Sequence, residues 1–221
     1  MKPNTYSWKL KEIIMVGIIG VIFAMVSFAT AQGISIPLLL PLAALGFPPN
    51  YSFEIFWGIF FMHAVLAGYI IRKPGVGFCA SMLAVLIQFL MGNATGPLIF
   101  LSGFVTGLGA EAGYALFRYK RWDYLSVFSA ITGCTILSFA LTWWTLGYHV
   151  MGLAFPTIAL IFFTRLISGF IFSGLIGKFL ADKLAKTGVL RSYPIGENFA
   201  VDPEEYLDEH TNEHANKHPN E

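Results

Sequence analysis

The chain has 221 residues, of which 56% are hydrophobic and only 12% are charged. A soluble domain carries about 25% charged residues, so this composition excludes an ordinary soluble fold and indicates an integral membrane protein. The formal net charge is +1, which gives no sign of a nucleic-acid partner.

Six apolar runs are each long enough for a membrane-spanning helix, which needs about 20 mostly apolar residues. Between the first two runs, four prolines interrupt ISIPLLLPLAALGFPPNYS and predict an outer loop with a short interfacial helix. The predicted fold is therefore an all-α membrane protein, a bundle of six transmembrane helices. The predicted spans are approximately 12–32, 53–71, 75–92, 97–117, 124–147 and 156–181.

Apart from Arg165, the basic residues of the predicted bundle occur at one end only. They precede span one, join spans two and three, join spans four and five, and close span six, whereas the three opposite loops have none. The positive-inside rule then places both termini in the cytoplasm. These residues are Lys2, Lys9, Lys11, Arg72, Lys73, Arg118, Lys120, Arg121, Lys178, Lys183, Lys186 and Arg191.

The two ends of the chain differ in character from the bundle. The start resembles a cleavable signal peptide, but its apolar stretch of 16 residues exceeds the usual length of about 7–15, so a retained first helix is favoured. Residues 1–191 are predicted to form the membrane domain. Residues 192–221 hold eight acids against Lys217 and predict a disordered cytoplasmic tail. Its histidines could capture a metal ion, although a solvated polar tail is favoured; they are His210, His214 and His218.

Small residues form seams on three predicted spans, and such seams let membrane helices approach closely. Packing within the chain is favoured for span four (Gly103, Gly107) and span six (Gly169, Ser173, Gly177). Span one has the longest seam, with spacings of 3, 4, 3 and 4, and either internal packing or a partner subunit could use it. Its members are Gly17, Gly20, Ala24, Ser27 and Ala31.

Two charged residues lie inside predicted spans and extend these seams. Glu111 follows Gly103 and Gly107 at four-residue spacing, and Arg165 precedes Gly169 in the same way. Both are therefore predicted to face protein, because a charge at the bilayer centre costs at least about 2.5–3.5 kcal/mol. The two charges either pair with each other or serve a ligand, and the residues alone leave both alternatives open.

Polar and aromatic side chains gather at the predicted outer ends of spans two, three and five. Buried polar groups need partners, and an aromatic-lined pocket with a few convergent polar groups is typical of a small-molecule site. An outward-facing binding site is predicted. The candidate residues are Tyr51, Glu54, Trp57, His63, Gln88, Asn93, Trp143, Trp144, Tyr148 and His149.

The sequence contains no GxxxxGK[ST] nucleotide loop, no HExxH motif and no paired cysteine motif. It therefore predicts neither a catalytic nor a metal site, and any ATP hydrolysis must come from another subunit. A membrane enzyme acting on lipid is the alternative from another class, but such an enzyme would need acidic or histidine clusters near the headgroups.

Six strings in order along the chain resemble the substrate-binding S components of energy-coupling-factor vitamin transporters, of the YkoE type linked to thiamine and its hydroxymethylpyrimidine precursor. The resemblance covers about residues 8–190 and implies a bacterial, multi-pass cell-membrane protein without enzymatic activity or a cofactor of its own. The strings are WKLKEI (8–13), RKPG (72–75), GNATGP (92–97), GLGAE (107–111), RLISG (165–169) and LAKTGVL (184–190).

The resemblance implies capture of thiamine or hydroxymethylpyrimidine and docking on a membrane coupling subunit driven by two ATPase subunits, for which the seam of span one is the expected docking face. Another vitamin is the alternative ligand. A carboxylate could bind the amino group or the charge of thiamine, and an aromatic ring could stack on it; Glu111 could also act indirectly, through a pair with Arg165. The predicted ligand-binding residues are Glu54, Trp57, Gln88, Asn93, Glu111, Tyr51, Trp143 and Tyr148.

Overall fold

The computed structural model describes residues 8–48 and 50–196, which form helices joined by turns. Four helices are long: α1 (Leu10–Thr30), α3 (Tyr51–Ile71), α5 (Ile99–Leu116) and α6 (Tyr124–Thr145). Four are shorter: α2 (Leu39–Ala44), α4 (Val76–Leu90), α7 (Phe155–Gly169) and α8 (Lys178–Lys186). A π-helical segment, Ala31–Ser35, extends α1, another, Phe170–Gly177, joins α7 to α8, and a 3-10 turn, Gly96–Leu98, precedes α5.

Five of these segments are long and apolar enough to cross a membrane. The third predicted span, 75–92, is instead the 15-residue helix α4, which is about 22 Å long and so shorter than a bilayer core of about 30 Å. The short helix predicted between spans one and two is confirmed as α2. The five segments are Leu10–Ser35, Tyr51–Ile71, Gly96–Leu116, Tyr124–Thr145 and Phe155–Lys186.

Helix α3 is the central helix of the bundle and packs against α1, α4 and α7. All residues from Phe61 to Ile71 are buried, and all but His63 are apolar or small. A helix that is buried on every side lies in the middle of a bundle, because neither lipid nor water reaches any of its faces. α3 therefore has neighbours on all sides and can join features on opposite faces of the protein.

Glycines allow α5 to approach both of its neighbours closely. A β-carbon placed at Gly109 would lie 2.6 Å from the Cα of Cys134 in α6, and one at Gly107 would lie 2.8 Å from the Cα of Phe78 in α4. At Gly103 it would lie 2.5 Å from a methyl group of Val85. The predicted packing of the span-four seam within the chain is confirmed.

The seam of α1 packs inside the chain as well, which corrects its assignment as a docking face. Ala24 and Ser27 are fully buried, Gly20 and Ala31 are buried too, and a β-carbon at Gly20 would lie 2.9 Å from Leu83 of α4. The other member, Gly17, is half-buried. Sequence spacing identifies a close-packing face but not its partner, and here α4 occupies it.

The loops that carry the basic residues converge at one end of the bundle, which we call the basic end. Glu12, near the start of α1, binds Lys73 of the α3–α4 loop at 2.8 Å. The segment after α8 lies against the same place, where the Tyr193 hydroxyl donates to the Lys11 carbonyl at 2.9 Å. Tyr193 and Ile195 are buried in the core, so the first residues of the predicted tail pack against the bundle. The rest of the predicted tail, with its three histidines, lies outside the described residues.

Helices α3 and α7 are in backbone contact at Gly58. The Gly58 N–H donates to the Ser168 hydroxyl at 2.9 Å, and the Ser173 hydroxyl donates to the Gly58 carbonyl at 2.6 Å. A β-carbon at Gly58 would lie 2.1 Å from the Ser168 carbonyl oxygen. No rotation of a side chain relieves a clash between two backbones, so α3 and α7 would have to separate.

We therefore expect Gly58→Ala to lower the free energy of unfolding by about 1–3 kcal/mol or more. Gly17→Ala is the matched control, because nothing lies within 4 Å of a β-carbon at that position. Thermal unfolding of both variants in detergent measures the difference. Equal midpoints for the two variants would contradict the close contact at Gly58.

Candidate functional site

A cavity of about 130 Å³ lies at the end of the bundle opposite the basic end. Its walls come from the π-helical segment after α1, from α3, α4 and α5, and from the loop that precedes α5. The lining residues are Ala31, Gln32, Ile36, Phe53, Trp57, Phe60, His63, Val85, Gln88, Asn93, Ala94, Thr95, Ile99, Ser102, Gly103 and Thr106.

One wall of the cavity is aromatic and belongs to α3. Phe53, Trp57 and Phe60 recur at spacings of four and three residues, which places them on one face of the helix. The rings of Trp57 and Phe60 meet edge to face at 6.0 Å, and those of Phe53 and Phe60 are 6.5 Å apart. Such a wall can stack on a flat ring.

Several polar groups point into the same cavity. His63 is 2% exposed, and its Nδ1 has no hydrogen-bond partner among the described residues. The amides of Gln88 and Asn93 are 3.5 Å apart, and Asn93 Oδ1 accepts a hydrogen bond from the Thr95 N–H at 2.9 Å. An unpaired buried nitrogen costs free energy until something binds it. The imidazole of His63 lines the cavity and is a candidate partner for a polar ligand group.

Behind the aromatic wall lies a fully buried ion pair between α3 and α7. Arg165 donates from Nε and Nη2 to the two carboxylate oxygens of Glu54, at 2.6 Å each. The hydroxyls of Ser138 and Thr142, both on α6, accept the remaining guanidinium hydrogen bonds at 3.2 and 3.0 Å. This bidentate geometry is the strongest form of the Arg–carboxylate pair, and it neutralises both charges inside the bundle.

Tyr148 and Tyr51 lie on the side of α3 that carries the ion pair, and neither lines the cavity. Tyr148 is 1% exposed and hydrogen-bonds Glu54. Burial and the Glu54 carboxylate raise the pKa of the Tyr148 phenol, so it keeps its proton. The Tyr51 hydroxyl contacts that of Thr164 at 2.8 Å, and the ring of Trp143 packs against Phe139 at 6.2 Å.

Glu111 lies at the basic end, remote from the cavity. Its carboxylate accepts hydrogen bonds from the N–H groups of Gly75 and Gly77, at 2.9 and 2.8 Å, and from the Tyr119 hydroxyl at 2.7 Å. The first N–H groups of a helix lack partners within it and favour an anion, so the carboxylate closes the start of α4. Burial and this hydrogen bond raise the pKa of Tyr119.

The structure divides the predicted ligand-binding residues into three groups. Trp57, Gln88 and Asn93 line the cavity together. The other five do not, and the assignment of Glu111 to the same site is corrected, as is its pairing with Arg165, whose carboxylate partner is Glu54. The residues outside the cavity are Tyr51, Glu54, Trp143 and Tyr148, beside or near Arg165, and Glu111, at the opposite end.

Some lining residues were not among the predicted ligand contacts. The four-and-three spacing around Trp57 could have identified Phe53 and Phe60, and His63 follows on the same helix. Gln32 gives no such signal, because its direction depends on the π-helical segment that interrupts the regular 3.6-residue repeat. A π-helical turn has no reliable sequence pattern but often occurs at functional sites.

Comparisons with known proteins agree with this architecture. The family described as "ABC-type cobalt transport system, permease component" matches residues 11–137. The "Putative HMP/thiamine permease protein YkoE" of Bacillus subtilis (strain 168) is 36% identical over 191 residues, which are 86% of this chain and 92% of that protein. A crystal structure of an S component of an ECF transporter superimposes with a TM-score of 0.78 at 32% identity, covering 95% of this chain and 99% of the other. The chain therefore belongs to the YkoE-type family of S components of energy-coupling-factor transporters, which are multi-pass bacterial membrane proteins.

Proposed function

We propose that the chain is the substrate-binding subunit of an energy-coupling-factor importer and that its cavity captures thiamine or hydroxymethylpyrimidine. It performs no catalysis, and a membrane coupling subunit with two ATPase subunits supplies the energy. The cavity end faces outward, since the basic end follows the positive-inside rule. The Bacillus relative, described as an HMP/thiamine permease, supports the ligand class.

The observation that carries this proposal is an aromatic-walled cavity that the imidazole of His63 and the amides of Gln88 and Asn93 also line. A pyrimidine has two flat faces for the Trp57 wall, and its amino group and ring nitrogens can bind His63 and the amides of Gln88 and Asn93. The cavity volume of about 130 Å³ is close to the roughly 150 Å³ that accommodates benzene in an engineered cavity. One six-membered ring therefore fits, and the pyrimidine is the ring we assign to it.

Isothermal titration of the purified chain in detergent tests the proposal directly. Hydroxymethylpyrimidine and thiamine should each bind saturably at submicromolar concentration, without ATP or any partner subunit. A well-folded sample that binds neither would refute the proposal.

The matching family's description names cobalt, so Co²⁺ is the second ligand to titrate. The cavity presents amides, hydroxyls and one imidazole, groups that suit an organic ring better than a transition metal, which favours several imidazoles, thiolates or carboxylates. Within the described ranges, no group of three or more His, Cys, Asp or Glu could hold a metal ion. Saturable binding of Co²⁺ with no binding of either organic ligand would favour the cobalt function instead.

A variant of His63 should separate ligand binding from folding. We expect His63→Leu to weaken hydroxymethylpyrimidine binding about tenfold, because a buried nitrogen no longer binds the ring, while the unfolding temperature stays equal or rises. Ser52→Ala is the matched control, since the Ser52 hydroxyl is also buried without a partner in the described structure but does not line the cavity. Titration and thermal unfolding of both variants measure the two effects. Equal affinities in the two variants would remove His63 from the site.

A further inference from the structure

The indole of Trp57 is shared between the cavity and the buried ion pair. It lines the cavity, and the guanidinium carbon of Arg165 lies 3.7 Å from its ring centroid. Arg165 is not a lining residue, so the guanidinium reaches the indole from outside the cavity. A ligand that stacks on Trp57 therefore meets a ring that already carries a cation.

Arg165 cannot leave this position easily, because four of its five N–H hydrogens are bonded. These hydrogens go to Glu54, Ser138 and Thr142, and the ring of Phe139 lies 5.4 Å from the guanidinium carbon. The Glu54 carboxylate binds in the plane of the guanidinium, at its edge, and so does not come between the cation and the indole. One face of the Arg165 guanidinium therefore lies against the indole of Trp57.

This geometry affects the choice of ligand. The π-face of tryptophan attracts a cation, but a second cation on the opposite face would lie only about 7 Å from the first, at two van der Waals contact distances. Two like charges at that separation repel in a protein interior, and the Glu54 carboxylate at the edge of the guanidinium reduces this repulsion. A neutral ring stacks on the same face without this repulsion.

We propose that Arg165 determines ligand specificity through Trp57 and makes the cavity prefer a neutral aromatic ring to a cationic one. This inference rests on the proposed function and narrows it. The neutral aminopyrimidine is the ring that stacks on Trp57, and the cationic thiazolium of thiamine lies away from the indole. The thiazolium still brings a cation into the neighbourhood of Arg165, whereas hydroxymethylpyrimidine carries none, so hydroxymethylpyrimidine binds more tightly than thiamine.

The test is the ratio of the dissociation constant of thiamine to that of hydroxymethylpyrimidine, measured by titration calorimetry in three proteins. The ratio should exceed one in the unaltered chain. Glu54→Gln leaves the Arg165 charge unbalanced and should raise the ratio about threefold to tenfold. Combining it with Arg165→Gln makes the pair neutral and should lower the ratio below that of the unaltered chain.

The Glu54 variant and the double variant should shift the ratio of dissociation constants in opposite directions. A general loss of structure would not produce this pattern. Ser173→Ala loosens the same α3–α7 contact, by removing the hydrogen bond to the Gly58 carbonyl, without changing any charge, and should leave the ratio unchanged. If both ligands bind but the ratio stays constant in the Glu54 and double variants, or moves equally in Ser173→Ala, the inference is overturned while the proposed function stands. Failure of both ligands to bind the unaltered chain overturns both.

Discussion

Arg165→Met is expected to be the most destabilising single substitution in the bundle, lowering the free energy of unfolding by about 3–5 kcal/mol. The substitution leaves the Glu54 carboxylate without its cation at a place where the side chain has no access to solvent. For a chain of this size, the unfolding midpoint in detergent should fall by roughly 10 °C. Scanning fluorimetry or calorimetry measures the shift.

The double variant Glu54→Leu with Arg165→Met is the control for this result. It replaces the ion pair by apolar side chains, and such replacements are often neutral or stabilising because no charge remains to be desolvated. The midpoint should therefore recover most of what Arg165→Met loses. A double variant as unstable as the single one would mean that packing around Arg165, and not the unpaired Glu54 charge, causes the loss.

The second large effect is expected at Glu111. Glu111→Ala should lower the free energy of unfolding by about 2–4 kcal/mol, because the N–H groups of Gly75 and Gly77 and the Tyr119 hydroxyl lose their common acceptor. Ligand affinity should stay within about twofold, since the carboxylate lies at the opposite end of α4 from the cavity. Thermal unfolding and calorimetric titration of the same preparation separate the two quantities.

Tyr119→Phe provides the graded control for Glu111. It removes one hydrogen bond to the same carboxylate and should destabilise in the same direction by a smaller amount, about 0.5–1.5 kcal/mol. A tenfold loss of ligand affinity in Glu111→Ala, at an unchanged unfolding midpoint, would return Glu111 to the binding site and contradict the arrangement described above.

Hydropathy predicts the main helices well, because an apolar run of membrane length leaves the backbone few alternatives to a helix. Helices α1, α3, α5 and α6 overlap predicted spans closely, and α7, the π-helical segment and α8 together cover the last predicted span. The third predicted span differs from α4 only in its length. Gly75, with φ at +84°, precedes the first residue of α4, and the chain turns at Gly92, so the helix is shorter than the predicted span. Glycines in the left-handed region set the ends of a helix, and composition averaged over a window does not resolve them.

The partner of each buried charge was harder to predict. The alternative in which Arg165 pairs with Glu111 rested only on the presence of two opposite charges inside predicted spans. In the folded chain Glu54, in the first turn of α3, binds Arg165. Glu111 instead accepts hydrogen bonds from N–H groups at the start of α4. Sequence identifies a charge that needs a partner, but a backbone partner such as the start of a helix leaves no mark in the sequence.

The cavity itself was predicted in part. Trp57, Gln88 and Asn93 follow from their residue types and from their positions near the predicted outer ends of the helices. Glu54 and Trp57 were placed in one site because both lie near the predicted outer end of span two. In the structure they have different neighbours, and only the indole contacts both the cavity and the ion pair. A central helix has contacts all around its circumference, so two residues close in sequence can contact different neighbouring helices.

The shortness of α4 has a consequence for the surrounding lipid. A helix of 15 residues falls about 8 Å short of the hydrocarbon thickness of an average bilayer, and part of its surface, including Leu86 and Leu90, is exposed. Hydrophobic mismatch is relieved by thinning of the bilayer at a cost that rises with each ångström. The lipid that must thin lies next to residues 91–98, which follow α4 and border the cavity. Acyl-chain length should thus alter how readily a ligand enters, which makes bilayer thickness a variable to control when affinities in different membranes are compared.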